Sequence, residues 1–129
     1  MRYERQVRPF QAVVAVASLV PILAGAAGVL QRPRMIRGLT SWNADLDSHF
    51  SYLSGLLFAM GVAFVYCALD VRSRAQSFRL LGLIVVFGGL ARLIAITRLG
   101  LPSPSQQFAY FMELIVVPAL LIWHGRLSR

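Results

Sequence analysis

Four apolar runs divide this chain, Phe10 to Leu30, Phe50 to Leu69, Leu80 to Ile96 and Phe108 to Trp123, and polar residues gather in the connections between them. Each run approaches the roughly 17 to 25 residues that a helix needs to cross about 30 Å of hydrocarbon. The pattern predicts an all-α fold, an integral membrane four-helix bundle in which residues 1–129 form a single transmembrane domain. Connections this short leave no room for a separate soluble domain.

Polar and small residues sort onto faces within those helices. In the third, Gly82, Val85, Gly89, Arg92 and Ile96 share one face, so the side that admits a close neighbour also carries a charge. In the fourth, Gln106, Tyr110, Glu113, Val117, Leu121 and His124 share a face, and Pro118 is expected to bend the helix by removing a backbone donor. Ser51, Gly55, Ala59 and Ala63 recur every four residues in the second and predict a packing seam. Pro21, Gly25 and Gly28 predict a kink or a tight contact in the first. Between the first two spans, Gln31 to Asp47 reads as an interfacial segment with Trp42 at headgroup depth, or as an ordered loop. Asn43, Asp45 or Asp47 is expected to cap the second helix.

Composition changes the picture in one respect: 57% hydrophobic and 14% charged residues make lipid the natural solvent. The formal charge of +8 raises nucleic acid as a partner, but all thirteen basic residues are arginine and most flank the apolar runs, so no nucleic acid is expected. Arg2, Arg5, Arg8, Arg72, Arg74, Arg79, Arg126 and Arg129 fall on one side of the membrane, and Arg32, Arg34, Arg37 and Arg98 on the other. The positive-inside rule then places both termini in the cytoplasm of a multi-pass protein of the cell inner (cytoplasmic) membrane. Basic Met1 to Arg8 followed by apolar residues and Ala24-Gly25-Ala26 also resembles a cleavable signal, but the reading adopted is a retained first span. Cys67, the only cysteine, reads as a small buried hydrophobe.

Candidate chemistry comes from the ionisable residues inside apolar runs, which are costly there and usually face protein or a watery cavity. Arg92 lies about five residues below Thr97 and Glu113 about seven below Gln106, very roughly 8 and 10 Å at 1.5 Å per residue, so the two should lie at one level and pair. His49, with Asp45 and Tyr52 on the same helical face, enters the membrane near that depth. The expected site is a polar pocket toward the outer leaflet, with His49, Arg92 and Glu113 at its centre and Asp47, Tyr52 and Tyr110 around them. Three roles suit it: an ion pair that only fixes helix register, a binding pocket for a small or lipid-like ligand, and an acid/base enzyme with Glu113 or His49 as the proton-transfer group. His124, beside Trp123 and Arg126, reads as an interfacial anchor about a membrane thickness from His49. Haem held by both histidines is therefore not expected, nor any other cofactor or metal.

Three stretches carry a family resemblance: Asp47-Ser48-His49-Phe50 through Ser54-Gly55, Gly88-Gly89-Leu90-Ala91-Arg92-Leu93, and Glu113-Leu114 followed by Pro118. From Asp47 onward, about two thirds of the chain, the order of elements resembles a family of small bacterial four-span membrane proteins catalogued as a domain of unknown function (domain of unknown function 4345). The resemblance implies a four-helix membrane fold, draws attention to His49, Arg92 and Glu113, and supplies no activity. The leading expectation is a noncatalytic binding or accessory protein, and the alternative is a small membrane-embedded acid/base enzyme acting on a lipid-soluble substrate. Expected partners are the lipid bilayer, an amphipathic small-molecule or lipid ligand, and a membrane protein partner or a homo-oligomer.

Overall fold

The computed structural model describes residues 2–129, whose regular elements are helical: α1 (Arg2–Gln31), a 3-10 turn (Arg32–Met35), α2 (Ala44–Ala68), α3 (Ala75–Leu99), α4 (Pro104–Phe111), a π-helical turn (Met112–Val116) and α5 (Val117–Leu127). Because α4, the π turn and α5 run on without a break, four stretches are long and apolar enough to cross a membrane: Arg2–Met35, Ala44–Ala68, Ala75–Leu99 and Pro104–Leu127. The chain is an all-α, multi-pass membrane protein, as its four apolar runs predict.

Every helix begins before its apolar run, and all but α2 also end beyond it, because the bilayer sets only the hydrophobic length while the backbone ladder continues until a residue stops it. Asn43 starts α2, its side-chain oxygen accepting the Leu46 N–H at 2.9 Å. Gly100 ends α3 with φ of 84°, and its N–H donates to the Ile96 carbonyl at 2.8 Å. Pro104 opens α4, where its missing donor costs nothing. In the turn before α3, the Ser73 hydroxyl and amide donate to the Asp70 carboxylate and hold its pKa below the ordinary carboxylate range.

The helices group into two compact units, Gln11–Tyr66 and the first residues of α1 through Phe10 together with Cys67–Arg129. Within Gln11–Tyr66, α1 and α2 meet backbone to backbone at glycines. A Cβ built on Gly25 would lie 2.5 Å from the Phe58 nitrogen and 2.6 Å from the Ser54 carbonyl oxygen, and one on Gly61 would lie 2.7 Å from Ile22 Cγ1. The tight contact expected at Gly25 and Gly28 is therefore present, and Ser54 faces Gly28. The seam on α2 differs from the expected one: Ser54, Phe58 and Gly61 meet α1, whereas Gly55 has nothing within 4 Å of a built Cβ and Ala59 is exposed. A stripe of small residues fixes which faces can pack closely, and the partner's bulky residues decide which one does.

In the unit containing Cys67–Arg129, two glycines of α3 receive leucines of the antiparallel fourth span. Gly82 lies against Leu121 and Gly89 against Leu114, whose Cδ2 would sit 2.8 Å from a built Cβ. The end nearer the termini is aromatic. Phe10 packs on Phe78 and Trp123 with ring centroids 5.5 and 5.4 Å away, and Phe78 stacks on His124 at 4.5 Å. Arg72 lies over the Tyr3 ring at 4.0 Å, and Cys67 is buried among the core residues, as expected of a small hydrophobe.

Candidate functional site

Arg92 and Glu113 carry the charges that lie deepest in the third and fourth spans, and the glycine–leucine seam between those spans sets their approach. Gly89, one turn before Arg92, lets the fourth span come close enough that a built Cβ there would be 3.0 Å from Glu113 Cβ. The Arg92 Nε is 2.9 Å from Glu113 Oε2 and donates a hydrogen bond to Oε1 at 3.1 Å. Its Nη1 donates to Gln106 Oε1, two turns nearer the α3–α4 connection on the same face of the fourth span. Side-chain exposure is 39% for Arg92 and 16% for Glu113, so the carboxylate is the more enclosed of the two. Glu113 Oε2 is buried and accepts no hydrogen bond among the described residues, although an ionised carboxylate offers about four acceptor positions.

The backbone under Glu113 is unusual. Met112–Val116 form a π turn, in which the Val117 N–H reaches back five residues to the Met112 carbonyl. Pro118 supplies the cause, since it has no N–H for the Leu114 carbonyl and its ring would collide with that carbonyl in a regular helix. The expected bend is thus taken up as one wide turn. Such turns often mark functional positions, and this one holds the span's only carboxylate.

The remaining predicted site residues divide between the two units. Asp47 is engaged locally: its Oδ1 accepts from Arg32 Nε at 2.7 Å and from Trp42 Nε1 at 3.2 Å, with Arg32 also 5.7 Å from the Trp42 ring centroid. That clamp closes the connection between α1 and α2, where Arg32 adopts φ of 63°, and it gives Asp47 a structural role in Gln11–Tyr66. His49 and Tyr52 belong to the same unit and are exposed, Tyr52 at 64%. Tyr110 is half-buried one turn before Glu113.

His124 corrects its reading as an interfacial anchor. It is 1% exposed, and its Nε2–H donates to the Val71 carbonyl at 3.1 Å, which fixes the proton on that nitrogen because a carbonyl only accepts. Its Nδ1 has no partner among the described residues. The sequence carried a partial signal, because His124 shares a face with Glu113 and Leu121, but its acceptor is a backbone atom that no side-chain pattern reveals. Gln106 was likewise on the correct face without being assigned to the site. Among the described residues no three of His, Cys, Asp and Glu gather as they would around a metal ion.

Comparison with curated proteins and with solved structures finds no match for this chain. Residues 9–124 match the model of a family described as Domain of unknown function (DUF4345).

Proposed function

The chain belongs to the Domain of unknown function (DUF4345) family, and because membership fixes no activity, we propose from its own site that it is a noncatalytic binding or accessory membrane protein. In this reading the Arg92–Glu113 cluster receives the polar head of an amphipathic ligand. The supporting observation is the incomplete bonding of Glu113: among the described residues the single Arg92 Nε–H is the only donor to its carboxylate, bonding Oε1 and leaving Oε2, 2.9 Å from the same nitrogen, with an ion-pair contact but no hydrogen bond. The bilayer is the source of such a ligand, since the cluster lies within two membrane-length helices. The arginine distribution supports an orientation with both termini in the cytoplasm of a bacterial inner membrane, which puts the cluster in the outer leaflet.

Native mass spectrometry of the gently solubilised protein tests the reading. A copurifying lipid-sized adduct is expected with the wild-type chain and is expected to disappear in Glu113→Gln while circular dichroism still shows the full helix content. Adducts that are the same in both proteins, or none in either, would remove the support for a binding role.

A further inference from the structure

The bonding left open at Arg92 and Glu113 restricts the ligand class, an inference that rests on the binding role proposed above. We propose that the ligand is a neutral lipid with a hydroxyl head, whose O–H donates to the Glu113 carboxylate and whose oxygen accepts from Arg92. Two bonds engage the guanidinium through Nε and Nη1, to Glu113 and Gln106, and leave Nη2 for another acceptor. On the carboxylate the unmet need is the opposite one, a further donor, since the single Nε–H bonds Oε1 and Oε2 has only its 2.9 Å ion-pair contact with that nitrogen. A hydroxyl is both donor and acceptor on one atom, and so matches a carboxylate and a guanidinium edge side by side.

Charge excludes the other heads. Arg92 and Glu113 neutralise one another, so an anionic head on Nη2 would be repelled by Glu113 and a cationic one on the carboxylate by Arg92, each bringing into a membrane span a charge without its own partner. A neutral head disturbs neither. Access comes from the more open Arg92 side, and a partial turn about the broad terminal torsion of Glu113 brings Oε2 toward that side. A hydrocarbon tail finds exposed apolar residues on the same two spans, Leu90 and Leu93 on α3 and Phe108 and Phe111 on α4.

The test uses the full chain in phosphatidylcholine nanodiscs, with dioleoylglycerol, its methyl ether and dioleoyl phosphatidate as probes and glycerol as a competitor. The expected result is binding of dioleoylglycerol about tenfold tighter than of the methyl ether, which keeps the acceptor and loses the donor. Glycerol is expected not to compete, and phosphatidate to bind more weakly. In Glu113→Gln the preference for the free hydroxyl should shrink, since the amide oxygen is only a neutral acceptor, while phosphatidate binding rises, because Arg92 is then without its counter-charge. Equal binding of the ether, or Arg92-dependent preference of the wild type for phosphatidate, would overturn the neutral-hydroxyl class and leave the binding role standing. Competition by glycerol would overturn the lipid source. Lipid binding indifferent to both Arg92→Gln and Glu113→Gln would overturn the binding role as well. Should Glu113→Gln fail to run as a monodisperse species, the ratio of the alcohol to its ether on wild-type protein decides the question alone.

Discussion

A guanidinium in hydrocarbon is tolerable only where its donors find acceptors, and Arg92 directs one at Glu113 and one at Gln106. Removing one partner is worse than removing both. Arg92→Gln is expected to destabilise the protein by about 2 kcal/mol in reversible detergent unfolding, and Arg92→Met combined with Glu113→Leu to recover most of that loss. Full destabilisation in the double variant would show that the pair contributes net stability. Gly89→Ala places a methyl 2.8 Å from Leu114 Cδ2 and is expected to cost about 1 to 3 kcal/mol, whereas Gly88→Ala, with nothing within 4 Å, should change stability by less than about 0.5 kcal/mol. Arg92 and Glu113 could be related from sequence because two antiparallel helices turn residue number into depth. Asp47 could not, because Arg32 on the far side of a long connection competes for it, and that connection's path depends on backbone angles such as the positive φ at Arg32.

Among the elements, the fourth span departs most from a regular helix. A π turn accommodates one extra residue, so it rotates everything on one side of it by about 100° relative to a regular helix. Glu113 faces Arg92 in that wide register. Pro118→Ala restores a donor for the Leu114 carbonyl and should let the turn relax, keeping helix content while carrying Glu113 away from its partner. A double-mutant cycle between Arg92 and Glu113 is expected to show a coupling of about 1 to 2 kcal/mol in the native sequence and close to none with Pro118→Ala. Undiminished coupling would mean that the turn is held by packing, not by the proline. Pro118 is visible in the sequence, but a bend and a wide turn answer its missing donor equally well, and only the neighbouring helix selects between them. The same dependence on a neighbour explains why the seam on α2 runs through Ser54 and Gly61 and not through Gly55.

At the scale of the whole molecule, the fold class was legible because each apolar run is long enough to leave a helix no other place than the bilayer. Orientation rests on arginine placement and is open to a direct check. In a Cys67→Ser background, a cysteine replacing Ser77 is expected to react with an impermeant maleimide only when the cytoplasmic side is exposed, and one replacing Ser41 only from outside; the reverse pattern would invert the topology. Gly82 and Gly89 are seven residues apart, and so are their partners Leu121 and Leu114. Two notches and two knobs of equal spacing fit again, with one knob seated, after a slide of about 10 Å along the helix axis. Steric fit alone therefore tolerates a misassembled pair, and the polar contact is what tells the two assemblies apart. Arg92 and Glu113 act as an index mark on a repeating scale, and a chain lacking both should populate a slipped form that its glycines and leucines cannot reject.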